Sequence, residues 1–305
     1  MNSYVLNTVG LTKQYGRNKA VDNVKINIKQ GEIYGLIGKN GAGKTTLIRI
    51  VTALVYPTAG EISLFGKTTP KDLAFARKRI GVIADRPVFF PNLSATENLE
   101  YYRLQRGIPD RKAVGRALEM ANLADTGKKK YKHFSQGMKQ RLGFALAVMG
   151  KPDFLILDEP INGLDPIGIM EYREIIKRLN EENRLTILIT SHILSELYQV
   201  ATHYGIIHNG NLVKEFSRAK LEDDTKRYIS VEVNDATRAA IILEEKMNTI
   251  DYEVFPDNEL RVYSPAARPS EIAYCLVSSG IQLNALAETC SGLEDYFMQA
   301  IGNAL

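Results

Sequence analysis

From the start of the chain to about residue 217, short apolar runs alternate with stretches of helical period. That rhythm predicts βα units and a largely parallel sheet, an α/β fold. Three apolar runs stand out: Ile33 to Ile37, Phe154 to Leu157 and Thr186 to Thr190. Continuous apolar strands of this kind are expected where helices cover both faces of a sheet. Between about Ala84 and Gly150 the strand signal disappears, and helices are predicted over Thr96 to Arg106, Arg111 to Ala121 and Gln136 to Met149. This reads as a helical subdomain inserted into the α/β unit. After about Phe216 the pattern changes again. Strands at Tyr228–Val233, Tyr252–Phe255, Leu260–Tyr263 and Ile281–Leu286 alternate with helices at Ala236–Met247 and Glu271–Ser279. The β-α-β-β-α-β order predicts a small ferredoxin-like or related α+β appendage, closed by a helix from Leu293 to Ile301.

Composition narrows the classes without choosing among them. With 305 residues, the chain has room for two domains or one large domain and an appendage. Hydrophobic residues make up 45% and charged residues 24%, as in ordinary soluble globular proteins. The net charge of +4 arises from 39 basic against 35 acidic residues, too small a surplus to argue for nucleic acid, and none is expected as a partner. Cys275 and Cys290 lie outside any CxxC spacing, which fits a reducing, cytoplasmic compartment. The amino terminus shows no basic-then-apolar leader. No stretch approaches the roughly 18 apolar residues of a membrane span, so a membrane role is expected to come through another chain.

The chemistry begins at Gly38-Lys39-Asn40-Gly41-Ala42-Gly43-Lys44-Thr45, followed by Thr46. This segment satisfies GxxxxGK[ST] and lies between a predicted strand and a predicted helix. Glycines let backbone amides turn inward around a phosphate, and the helix start adds partial positive charge. Lys44 is expected on the β- and γ-phosphates of ATP and Thr45 on Mg²⁺. A chance match in a chain this long has odds of roughly one in a hundred. The second element is the strand Phe154-Leu155-Ile156-Leu157, which ends in Asp158 and Glu159. Two carboxylates at a strand end suit a metal ligand, Asp158, beside a group that polarises water, Glu159.

Further segments join these. Ser135-Gln136-Gly137-Met138-Lys139-Gln140 opens a helix, Asn162-Gly163-Leu164-Asp165 follows Pro160, and His192 stands just after Thr190. Together they resemble the ATP-binding subunits of ABC transporters over essentially all of the first 217 residues. The resemblance implies a P-loop ABC-type ATP-binding domain over 1–217, with its helical subdomain at about 84–150, and an accessory domain over 218–305. It implies ATP and Mg²⁺ as cofactors. It also implies a second copy of the chain, so that Ser135, Gln136 and Gly137 act in trans on the nucleotide of the partner, although Ser135 is also a plausible plain helix N-cap. His192 resembles the histidine that contacts the γ-phosphate. Tyr15 resembles the aromatic residue on which adenine stacks, with a core tyrosine as the competing reading.

Two departures matter. Most members carry glutamine after the strand Ile80-Gly81-Val82-Ile83, at the contact between Mg²⁺, water and the membrane subunit; here the residue is Asp85. A carboxylate there could hold the metal through water, yet the γ-phosphate would repel it. The signature reads Phe134-Ser135-Gln136-Gly137-Met138, with Gln136 in place of a glycine. These features, with Ile161 to Gly168 and Ser191 to Leu197, resemble the bacitracin and lantibiotic self-protection branch. That branch implies export of antimicrobial peptides or related hydrophobic molecules through a separate integral membrane permease, docked near Asp85 and Pro87 to Pro91. The chain would then sit on the inner face of the membrane. An ATP-sensing module with little turnover, or a soluble ABC ATPase that transports nothing, is the alternative reading.

Overall fold

The computed structural model describes residues 4–83, 88–162, 164–224, 227–247, 251–263, 268–290 and 293–302. It divides into two compact units, one running to Arg218 and the other beginning at Ala219.

The first unit opens with an antiparallel layer that the alternating pattern does not predict. β1 (Tyr4–Tyr15) turns at Gly16 and Arg17 into β2 (Asn18–Val24), and β3 (Asn27–Lys29) follows at once. The two-residue turn makes β1 and β2 antiparallel neighbours, since a parallel crossover needs a dozen residues or more. β3 runs on in the direction of β2 and pairs with the first part of β1, Leu6 against Ile28, while β2 pairs with its last part. β4 (Ile33–Ile37) then leaves this layer, and α1 (Lys44–Val51) leads to β5 (Ala59–Leu64), which returns to pair antiparallel with β1.

The remaining elements of this unit are α2 (Pro70–Arg77), β6 (Ile80–Ile83), α3 (Ala95–Gln105), α4 (Ala113–Met120), α5 (Gln136–Val148), β7 (Phe154–Asp158), α6 (Pro166–Asn183), β8 (Thr186–Ser191), α7 (Leu194–Tyr198), β9 (His203–His208) and β10 (Asn211–Ser217). Six strands form the main sheet in the order β10-β9-β4-β8-β7-β6, parallel throughout except for the β9–β10 hairpin. Every residue of β4 and β8 is buried, the hydroxyl residues Thr186, Thr190 and Ser191 of β8 included, as expected of central strands in a parallel sheet. The helices α3, α4 and α5 stand between β6 and β7, where the strand signal disappears. α3 starts at a capping box: Ser94 Oγ accepts from the Glu97 amide at 3.2 Å and Glu97 Oε2 accepts from the Ser94 amide at 2.6 Å.

The second unit holds α8 (Arg218–Asp224, shared with the end of the first), β11 (Arg227–Val233), α9 (Ala236–Met247), β12 (Tyr252–Phe255), β13 (Glu259–Val262), α10 (Pro269–Ser278), β14 (Leu283–Cys290) and α11 (Leu293–Gly302). Its sheet has the order β12-β13-β11-β14, with every adjacent pair antiparallel. β11 and β12 are therefore parallel with β13 between them, the split βαβ arrangement of ferredoxin-like folds. The last strand starts later than the predicted Ile281. Gly280, at φ 79°, ends α10, and the Ile281 amide reaches back to the Leu276 carbonyl at 3.0 Å. Ile281 is thus the apolar residue that closes a helix C-cap rather than a strand residue.

Candidate functional site

The parallel strands β4, β7 and β8 end side by side, with Ile37 paired to Ser191 and Asp158 to Thr190. In open α/β sheets this carboxyl edge is where ligands bind. The loop leaving β4 is pinned there by the Gly38 amide, which donates to the Ser191 carbonyl at 3.3 Å. A Cβ on Gly38 would lie 2.5 Å from the Ile207 carbonyl oxygen, and one on Gly43, at φ 113°, would collide with the Ala20 carbonyl oxygen. Lys39, Asn40 and Gly41 are exposed at the crest of the loop, while Ala42 is buried and Thr46 half-buried. Gly43 is also the N-cap of α1. No side chain caps that helix and no acidic residue lies in its first turn, so its first amides are open to an anion.

Lys44 lies beneath the loop with 6% of its side chain exposed. Its ammonium donates to the Gly38 carbonyl at 2.5 Å and the Lys39 carbonyl at 3.3 Å, and stands 3.1 Å from Glu159 Oε1. Asp158 accepts from two hydroxyls, Thr45 Oγ1 at 2.7 Å and Thr190 Oγ1 at 2.6 Å. The same Thr190 oxygen accepts from the Glu159 amide at 3.0 Å, so one side chain of β8 aligns both acidic residues. Glu159 has the left-handed value φ 48°. This turns its carboxylate away from the strand, where Oε2 meets His192 Nδ1 at 2.8 Å and accepts from Asn162 Nδ2 at 3.2 Å.

The oxygen donors present suit a hard cation. Thr45 and Asp158 offer a hydroxyl and a carboxylate already in contact, and among the described residues no group of three His, Cys, Asp or Glu side chains could hold a metal. A Mg²⁺ ion fits such a sparse set because it keeps most of its shell as water and phosphate oxygens. Asp85 lies outside the described residues.

Ser135 stands apart from this group. It is the N-cap of α5, and its hydroxyl accepts from the Met138 amide at 3.2 Å. With Gln136 and Gly137 it lines a cavity of about 350 Å³ that also includes Leu164, Asp165 and Gly168 and contains no residue of the phosphate loop. Tyr15, at the end of β1, is 47% exposed, with the Lys13 ammonium 5.1 Å from its ring centre, so it is not a core tyrosine. Three contributors to the site carry no motif of their own. Thr190 reads in sequence only as a strand residue, since its register against Asp158 is visible only once β7 and β8 pair. Asn162 and Gln140 lie inside recognisable segments without a spacing that assigns them a role, though a polar side chain three residues past Glu159 is a signal for a turn contact.

A glycine-lined loop between β4 and α1, a buried lysine beneath it and two carboxylates at the neighbouring strand end define a P-loop nucleotide-binding domain. The family model described as ABC transporter matches residues 21–162. The chain is 43% identical over 300 residues to the bacitracin transport ATP-binding protein BcrA of Bacillus licheniformis, covering 98% of both chains. It is 42% identical over 212 residues to the lantibiotic transport ATP-binding protein SrtF of Streptococcus pyogenes, covering 69% of this chain and 90% of the relative. Among solved structures it is similar to a dimeric ATP-binding cassette in a post-hydrolysis state bound to ADP and phosphate. The TM-score is 0.63 at 26% identity, over 70% of this chain and 98% of that one. The chain belongs to the ATP-binding proteins of ABC transporters and is an ATPase. Among the described residues no helix is long and apolar enough to cross a membrane.

Proposed function

We propose that this chain is the motor of a peptide-antibiotic exporter, hydrolysing ATP on the cytoplasmic face of the membrane for a separate integral membrane subunit. The observation that carries this reading is the convergence of Lys44, Asp158, Glu159 and His192 at the ends of β4, β7 and β8. The names of the relatives supply the substrate class.

Residues 1–217 form the ATP-binding domain, with 84–150 as its helical part, and 218–305 the accessory domain. The triphosphate sits over the amides of residues 38–46, with the adenine on Tyr15. Lys44 leaves Glu159 for the β- and γ-phosphates, and the freed carboxylate accepts a proton from water as that water attacks the γ-phosphorus. The bond to the β–γ bridging oxygen breaks, and ADP and phosphate leave. Thr45 and Asp158, together with Asp85, would hold Mg²⁺, which would supply positive charge against the phosphate oxygens. His192 keeps Glu159 oriented and faces the γ-phosphate.

Ser135, Gln136 and Gly137 serve the nucleotide of a second copy, consistent with a signature cavity that shares no residue with the phosphate loop. Ile167 and Met170, 69% and 64% exposed at the start of α6 beside that cavity, suit burial between two copies. Val88 and Phe90 of the predicted docking segment, 82% and 42% exposed, and Tyr101 and Leu104 of α3, 46% and 63% exposed, with Tyr101 packed edge-on against Phe90, offer apolar surface suited to a helix of the membrane subunit.

Replacing Glu159 with Gln tests the reading. ATP binding is expected to persist, turnover to fall about 10²–10⁴-fold, and ATP to trap a dimer on size-exclusion chromatography. Undiminished hydrolysis would remove Glu159 from this role. Turnover that no membrane subunit stimulates would favour the ATP-sensing alternative.

A further inference from the structure

We propose that Asn162 is a positioning residue for Glu159, and that Gln140 ties its grip to the helix that carries Ser135. The proposal rests on the reading of Glu159 as the base.

The left-handed conformation of Glu159 starts a tight turn, closed by the Asn162 amide on the Glu159 carbonyl at 3.3 Å. A non-glycine residue in that region costs free energy and persists only where its surroundings over-determine it. Here the turn brings the Asn162 side-chain amide back onto Glu159 Oε2 at 3.2 Å, the oxygen that also meets His192 at 2.8 Å. The other oxygen, Oε1, faces Lys44 at 3.1 Å. The two oxygens are therefore held by different kinds of neighbour. Lys44 is the group a triphosphate claims, and its departure frees Oε1 for water. Asn162 and His192 stay on Oε2, so the carboxylate keeps its direction when its strongest charge partner leaves.

Asn162 is itself held from α5. Gln140 Nε2 donates to the Asn162 carbonyl at 2.7 Å, while Gln140 Oε1 is buried with no hydrogen-bond partner. Turning that amide over would set two acceptor oxygens face to face, so the donor orientation is enforced. Gln140 lies five residues after Ser135 in the same helix. A shift of α5 when Ser135 engages the nucleotide of the second copy thus moves the Asn162 carbonyl, and with it the hold on Glu159.

The test uses the purified full-length chain, with steady-state ATPase rates and binding of a fluorescent ATP analogue. Asn162→Ala is expected to lower kcat about ten- to a hundredfold, with KM and nucleotide affinity unchanged. Asn162→Asp keeps the size but replaces the amide donor facing Glu159 Oε2 with a second carboxylate, and should lower kcat at least as far as the alanine variant, again with KM unchanged. This isosteric variant also covers a failure of the alanine variant to fold. Gln140→Ala should lower kcat in the same sense, and adding it to Asn162→Ala should cost nothing further. An inert Glu159→Gln beside an Asn162→Ala of unchanged kcat overturns the role of Asn162 alone. An active Glu159→Gln overturns the assignment of the base. Losses that multiply in the double variant overturn the Gln140 link.

Discussion

At the residue scale the site is a set of short polar contacts whose members differ in how visible they are. Lys44, Thr45, Asp158 and Glu159 declare themselves by spacing, because a phosphate loop and an acidic strand end are each local in sequence. Thr190 does not, since its hydroxyl matters only by lying between Asp158 Oδ1 at 2.6 Å and the Glu159 amide at 3.0 Å. Gly43 shows how narrow the loop is. Its left-handed φ and the Ala20 carbonyl beside its missing Cβ both exclude a side chain. Gly43→Ala is expected to cost about 1–3 kcal/mol from the backbone conformation alone. It should also weaken ATP binding, because the loop must shift to relieve the collision. Denaturant unfolding and calorimetric titration would measure both, and unchanged values in both would refute the account.

At the scale of elements, register brings ionisable groups together that no local pattern links. Tyr34 on β4 is buried and donates to Glu215 Oε1 on β10 at 2.5 Å. Burial and the Glu215 charge push the Tyr34 hydroxyl well above its ordinary value. Burial also raises the Glu215 carboxyl, and Glu32 adds to this, against the opposing hydrogen bonds from Tyr34 and the Asn27 amide and the nearby His203. A carboxyl raised in the folded state contributes stability that is fully present below its unfolded value, about pH 4.3. That contribution is lost as pH rises through the folded value. Glu215→Gln keeps an acceptor for Tyr34 and carries no charge. The variant should therefore melt higher than the parent at pH 8, with the gap closing toward pH 5. A gap that widens as pH falls would show that the sign is wrong.

At the scale of the whole molecule, two separate cores support two units. One is built around Leu36, Leu47, Phe154, Ile156 and Leu188, the other around Val231, Leu243, Leu260, Ile272 and Leu276. Each core excludes water on its own, so unfolding need not be a single transition. Leu243, fully buried on α9, offers a test. Leu243→Ala should destabilise its own unit by about 2–5 kcal/mol and lower one calorimetric transition. The other transition and ATP binding should stay unchanged. If both transitions moved together, the two units would be one cooperative body.

By itself the sequence determined the strand and helix periods, the glycine-rich phosphate loop, the paired carboxylates and the resemblance to ABC ATPases. All of these are carried by residues close together along the chain, where spacing alone constrains geometry. The tertiary structure decided the rest. It set the antiparallel first layer, the strand order of the second unit, the hydroxyls that align Asp158 and Glu159, and the line from Gln140 through Asn162 to Glu159. Those depend on which elements meet and in what register, and the hydroxyls and the Gln140 amide reach residues from 22 to 113 positions away only when burial of the apolar faces has chosen that arrangement. The phosphate loop was legible because it is local; the carboxylate it works with is oriented by neighbours that only the fold could supply.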